Sequence, residues 1–277
     1  MADASKTTPY DHFLNVALLA CDGAKVILNN HFGNLHTIDE KFQAGLVSEA
    51  DRESEKYIVD FIRSHFPEHP VLGEESGLSG TPDHALNDGA LWMIDPLDGT
   101  TNYIHQFPFF CISIGLEIHG ELVVGVVDAP KLGLRFHAAK GGGAYMNGQK
   151  INVSQRAQFR DGLFATGFSS YDDEIEAQLQ LVADTTRDAR GIRRAGAAAL
   201  DLCFVAQGAF DVFWERNLQP WDMAAGVCIA REAGALVTDL EGAPFMARAK
   251  SVVCGNPKLQ PQIVQRYQKY RSLRGKS

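Results

Sequence analysis

One segment constrains this chain more than any other: the apolar run Leu91-Trp92-Met93-Ile94, which ends on Asp95 and continues at once into Pro96-Leu97-Asp98-Gly99-Thr100-Thr101-Asn102. The apolar run reads as a short buried strand, and Pro96, which has no N–H for a sheet ladder, is expected to end it. Asp98-Gly99-Thr100 has the composition of a turn that opens a helix. Such a turn can aim two carboxylates and a backbone carbonyl at one hard cation, which prefers oxygen ligands. The N–H groups of Gly99 and Thr100 would then be available to a phosphate, as they are at helix N-termini. On its own, a D-x-x-D-G run more often marks an Asx-type turn capping a helix.

Two further acidic spots weaken that bland account. Gly73-Glu74-Glu75 follows the short apolar strand Val71–Leu72, and Trp221-Asp222, after Pro220, opens a helix expected over Met223–Ala233. Separately, Glu74 reads as a surface turn and Asp222 as an N-cap. Together, three acid-bearing strand or helix ends would repel one another unless cations neutralised them.

Charge and composition narrow the classes. With 26 Lys+Arg against 34 Asp+Glu among 277 residues, the net charge is −8, which disfavours a nucleic-acid backbone as the main partner. The five cysteines (Cys21, Cys111, Cys203, Cys228, Cys254) form no C-x-x-C pair and read as buried thiols of a reducing cytosol. The polar Met1–Tyr10 stretch lacks a signal-peptide layout, and no apolar run approaches the roughly 20 residues that span a bilayer. A soluble, cytoplasmic protein with no membrane partner is expected.

Along the chain, Asp11–Phe32 and Asp51–Phe66 carry apolar residues at helical spacing, the second stopped by Pro67. From Phe109 to Val153 the pattern becomes strand, turn, strand: Phe110–Ile118 and Leu122–Asp128 are joined by His119-Gly120, and Asn147-Gly148 marks another hairpin. Helices (Glu174–Asp188, Ala197–Ala206, Met223–Ala233) then alternate with strands (Val212–Trp214, Leu236–Thr238, Val252–Cys254). The division expected is an N-terminal α+β half, 1–155, and a C-terminal half closer to alternating α/β, 156–277. Glu75–Asp88 reads as a loop and the 260–277 tail as a terminal helix. Gly141-Gly142-Gly143 precedes a hairpin rather than a helix and reads as structural. His65 and His69 have metal-like spacing, but Pro67 breaks the helix that would align them, and His105 reads as local packing.

Gly73-Glu74-Glu75-Ser76, the run from Asp95 to Tyr103, and Trp221-Asp222-Met223-Ala224-Ala225-Gly226 resemble, in order, three signature segments of the inositol monophosphatase family. Leu46-Val47-Ser48-Glu49-Ala50-Asp51 resembles a fourth, with Ser48 where Thr is usual, and Arg193–Ala199 through Glu215 resembles the substrate-facing segment. The resemblance covers about Asp11 to Pro257. It implies a layered α/β (α+β) sandwich, αβαβα, a homodimer, and Mg²⁺-dependent, lithium-sensitive hydrolysis of a phosphate monoester, foremost inositol 1-phosphate, by direct transfer to water. By the same resemblance Glu74, Asp95, Asp98, Asp222 and the carbonyl of Leu97 hold two or three Mg²⁺. Glu74 and Thr100 position the attacking water, and Asp51, near Lys41, supports a third metal. The Ser48-x-x-Asp51 pair is equally a capping box, and the two roles are compatible. Gly99, Thr100, Gly196, Ala197, Ala198, Glu215 and Asp222 face the substrate, with Glu215, seven residues before Asp222, on its hydroxyls. The rivals are relatives acting on histidinol phosphate, fructose 1,6-bisphosphate, nucleotide phosphates or sulfur-assimilation nucleotides, and a regulatory binding protein that keeps the fold.

Overall fold

The computed structural model describes residues 7–41, 45–79, 89–168 and 175–274. Helix α1 (Asp11–His31) leads through an antiparallel pair, β1 (Ile38–Lys41) and β2 (Gly45–Ser48), into α2 (Glu49–His65). Ser48 and Asp51 form a capping box at the start of α2, and the helix stops just before Pro67. Next come β3 (Val71–Gly73), β4 (Gly77–Ser79), β5 (Ala90–Asp98), a short helix α3 (Thr100–Ile104), β6 (Cys111–Ile118) and β7 (Glu121–Ala129). With β8 (Leu134–Ala139), β9 (Gly143–Met146) and β10 (Gln149–Ile151), these strands build a sheet in the order β10-β9-β8-β7-β6-β5-β3-β4. Only its β3–β5 pair is parallel.

The rest of the chain contains β11 (Leu163–Thr166), α4 (Ile175–Asp188), β12 (Gly191–Arg193), α5 (Ala198–Ala206), β13 (Val212–Arg216) and α6 (Pro220–Glu232). It closes with β14 (Leu236–Thr238), β15 (Ser251–Gly255) and α7 (Gln260–Arg274). Its five-stranded sheet, β12-β11-β13-β15-β14, is parallel at β12-β11-β13 and antiparallel beyond, so the alternating α/β expectation holds for only part of it.

Strand alternation assigns the layers. Trp92, Ile94, Ile112 and Ile114 face α1 and α2, where they meet Ala20, Ala24, Ile58 and Ile62. Leu91, Met93 and Phe136 point the other way, onto α5, α6 and the inner face of the second sheet, represented by Phe213 and Cys254. The outer face of that sheet, with Trp214 and Val253, packs on Leu181 of α4 and on Ile263 and Tyr267 of α7. The stack is therefore αβαβα. Two glycines set its spacing: a Cβ at Gly115 would lie 2.6 Å from the Cβ of Ala224, and one at Gly125 would lie 2.4 Å from the Ala225 carbonyl oxygen. Gly115 and Gly125 pair across β6 and β7, so α6 rests directly on backbone there.

Three sequence expectations are corrected. Pro96 does not end its strand, for β5 runs on to Asp98. Asp95 pairs with Ser113 and Asp98 with Cys111, leaving Pro96 and Leu97 opposite Ile112 alone in a bulge, where a missing N–H costs no ladder bond. Helix α6 begins at Pro220, so Asp222 is its third residue, not its cap; Gln219 holds the cap position. The presumed loop Glu75–Asp88 contains strand β4, and its remainder from 80 to 88 lies outside the described residues. All five cysteines are buried free thiols, and among the described residues no helix is long and apolar enough to cross a membrane.

Candidate active site

A cleft of about 610 Å³ opens where the C-terminal ends of β3 and β5 meet the first turns of α5 and α6. The bulge explains why two carboxylates of one strand reach it. Residues three apart on a regular strand face opposite sides, and one extra residue returns Asp98 to the side of Asp95. Both line the cleft. Parallel pairing of Gly73 with Ile94, extended by the bond from the Glu74 N–H to the Ile94 carbonyl (3.2 Å), brings Glu74 alongside Asp95. The Ser113 hydroxyl donates to the Trp221 carbonyl (3.1 Å), and Ser113 is the partner of Asp95, so Asp222 arrives on the same ground.

Each carboxylate also takes local donors. Asp95 accepts the Leu97 N–H (2.9 Å), and Asp222 accepts the Gln219 N–H (2.8 Å). Asp98 accepts the N–H groups of Ala199 (2.7 Å) and Ala198 (3.2 Å), capping α5 from a hundred residues away. Gly99, at φ +94°, makes the left-handed turn into α3, close against Ala197. The Thr100 hydroxyl lies 3.1 Å from both Asp51 Oδ1 and the Leu97 carbonyl, to either of which it can donate. Asn102 Nδ2 donates to the Phe109 and Ala195 carbonyls (2.7 and 2.8 Å), tying α3 to the turn that carries Gly196.

Electrostatics follow from burial and like charge. Burial pushes Asp95 well above the usual carboxylate range, reinforced by Glu74, Asp98 and Asp222. Burial likewise raises Asp222 strongly, with Asp98, Glu74 and Glu215 adding to it. Asp98 is raised to about 6 by burial, held down by the α5 N–H donors. Glu215 is pushed up to about 8 by burial and by Asp98, against the lowering influence of Arg194. Gly167 makes room for it, since a Cβ there would lie 2.0 Å from a Glu215 carboxylate oxygen.

Does this set suit a divalent cation? The acids offer only oxygen donors, and burial and mutual repulsion raise them, so a hard cation of high charge suits the set. Arg194 is the single Lys or Arg on the described wall. Among the described residues, no three His, Cys, Asp or Glu side chains close tightly enough on one point to hold an ion as they stand. The donor chemistry fits Mg²⁺.

Of the residues singled out in the sequence, Glu74, Asp95, Leu97, Asp98, Gly99, Thr100, Gly196, Ala198, Glu215 and Asp222 all line the cleft. Asp51 and Ala197 do not. Asp51 is buried behind Thr100, accepting the Ser48 N–H and hydroxyl (2.8 and 2.6 Å), and Ala197 is the buried N-cap of α5. The side chain of Lys41 lies outside the described residues. Gly141 and Gly143 give their N–H groups to Glu232, so that glycine run is indeed structural. His69 Nδ1 accepts from the Trp92 indole, and His65 Nδ1 sits 3.0 Å from the Phe61 carbonyl, both away from the cleft. Sequence reading missed Arg194 and Gly167. The first stood in a quoted segment without a role, and the second carries no local signal.

The family model for the inositol monophosphatase family matches residues 10–272. An inositol-1-monophosphatase of Synechocystis is 39 % identical over 91 % of this chain and 88 % of its own length. The Nus factor SuhB of Pseudomonas aeruginosa is 40 % identical over 88 % of this chain and 92 % of its own. The crystal structure of extragenic suppressor protein suhB from Bartonella henselae superposes with a TM-score of 0.87 at 38 % identity, covering 93 % of this chain and 99 % of that one.

Proposed function

The chain belongs to the inositol monophosphatase family, and from that premise we propose that it hydrolyses inositol 1-phosphate to inositol and inorganic phosphate with two or three Mg²⁺. The reaction class, phosphoric monoester hydrolysis, is that of the family. The observation that carries the reading is the meeting of Glu74, Asp95, Asp98, Asp222 and the Leu97 peptide on one cleft wall beside Gly99 and Thr100.

In this reading the four carboxylates and the Leu97 carbonyl hold the metal ions, which supply acidity to a water and charge stabilisation to the leaving alkoxide. Thr100 and Glu74 orient the attacking water. Asp51 fixes the Thr100 hydroxyl from behind, since its other oxygen is already held by Ser48. The N–H groups of Gly99 and Thr100 receive phosphoryl oxygens in line with that water. Glu215, pinned in the hollow left by Gly167, reads the hydroxyls of the alcohol. A homodimer and a cytoplasmic location belong to the same proposal.

The test is phosphate release from a panel of phosphomonoesters with Mg²⁺. Inositol 1-phosphate is expected to give the highest kcat/KM, and a higher value for fructose 1,6-bisphosphate or a nucleotide phosphate would overturn the substrate. Glu215→Gln should cost about 1–3 kcal/mol in kcat/KM on inositol 1-phosphate, the worth of a charged hydrogen bond. An aryl phosphate without hydroxyls should change much less; equal losses would move Glu215 into the chemistry. The Nus factor among the relatives favours a second reading, a regulatory binding role on the same fold. Release of no phosphate from any ester would select it.

A further inference from the structure

Helix α2 carries a buried polar face. Asp51, Ser54 and Glu55 lie at i, i+3 and i+4, one side of a helix, and all three are buried on the side that also presents Ile58 and Ile62 to the core. Buried polar side chains are mostly hydrogen-bonded, and each of these holds a different stretch of chain beside the cleft wall. Asp51 receives the Thr100 hydroxyl, and the Ser54 hydroxyl donates to the Pro96 carbonyl in the β5 bulge (3.3 Å). Glu55, 3 % exposed, accepts the N–H of Glu75 on one oxygen (2.8 Å) and the N–H of Ser76 on the other (2.7 Å).

We propose that Glu55 is the positioning residue for Glu74. The Glu74 backbone is held on one side by its bond to Ile94 of β5 and on the other by the two-point grip of Glu55 on the next two residues. Charge-assisted bonds to both oxygens leave the turn little freedom to swing. Gly73 belongs to the same contact, for a Cβ there would lie 2.6 Å from the Glu55 carboxyl carbon, so a side chain at this position would push the carboxylate out of its place. Glu55 touches neither substrate nor metal. It acts through the orientation of the Glu74 carboxylate, which rests on the reading of Glu74 as a metal ligand.

Glu55→Gln keeps the shape but turns one acceptor into an amide that faces a backbone N–H. Removing an outer partner of a ligand typically costs 10–100-fold in metal affinity or activity. The expected result is a Mg²⁺ concentration for half-maximal activity raised by about tenfold or more, with KM for the phosphomonoester within about threefold of wild type. Calorimetric titration of the ester-free protein with Mg²⁺ should weaken in step. Ile62→Val, a mild core change on the same helix, serves as the stability control and should leave the Mg²⁺ response unchanged. If Glu55→Gln does not fold, Gly73→Ala attacks the same contact from the other side and should give the same shift. A wild-type Mg²⁺ response in the folded Glu55 variant, or an equal shift in Ile62→Val, overturns the proposal. Glu74→Gln separates the two readings: if it too leaves Mg²⁺ binding intact, the ligand assignment fails; if it alone weakens binding, only the role of Glu55 fails.

Discussion

Asp222→Asn is expected to lower kcat/KM for a phosphomonoester by at least about 10³-fold, or ~4 kcal/mol of transition-state stabilisation, with the fold left in place. The side chain stands on the first turn of α6, and its Oδ2 accepts the Gln219 N–H, a bond that the amide oxygen of asparagine can keep. What goes is the charge, and with it, on the proposed function, a metal ligand. Burial and the neighbouring acids Asp98, Glu74 and Glu215 all raise this carboxyl. An acid raised on folding binds more protons in the native than in the unfolded state. It therefore costs stability as pH climbs from the unfolded value, 3.8, through the folded one. Substitution removes that cost. In EDTA the variant should melt above wild type at pH 7 and lose the advantage below about pH 4. Near wild-type kcat at saturating Mg²⁺ would remove Asp222 from the ligand set.

Asp98→Asn should abolish turnover to a similar degree, about 10³-fold, but with a different stability signature. Its two carboxylate oxygens each accept an N–H at the start of α5, from Ala198 and Ala199. An amide offers one acceptor, so one of those donors is left facing an NH₂ group. The same donors favour the charged form of Asp98 and keep its pKa to about 6, whereas that of Asp222 is raised strongly. Relief of repulsion is therefore smaller at Asp98 and is partly offset by the lost cap. Thermal melts in EDTA at pH 7 should rank Asp222→Asn above Asp98→Asn; the reverse order would contradict this account of how the two acids are held. Because the start of α5 and the turn before it present Ala198 and Gly196 to the cleft, KM should rise at Asp98→Asn as well as kcat falling.

The acids themselves were legible because each stands within a few residues of an apolar run or a proline, so a short window reveals both the carboxylate and the element that presents it. The layer order came from the resemblance, and strand alternation in β5 and β6 supplies its physical reason. What stayed hidden depends on distant partners. The β5 bulge around Pro96 exists because β6 is paired on both sides of it, which no local property of proline announces. Asp98 looked like the cap of its own turn and instead caps a helix a hundred residues on. Nothing local in the Asp51–Phe66 helix marks Glu55, whose burial is decided by the turn after β3. Gly167 has meaning only once β13 lies beside it and Glu215 fills its hollow.

On the proposed function, the acids at the ends of β3 and β5 and at the start of α6 act by holding Mg²⁺ for phosphoester hydrolysis. Phosphate release from inositol 1-phosphate, measured on protein stripped with EDTA and then titrated with Mg²⁺, tests it most directly. No release above background is expected in EDTA, with saturable recovery as Mg²⁺ is added and inhibition when Li⁺ is included. Undiminished release after exhaustive EDTA treatment would contradict it.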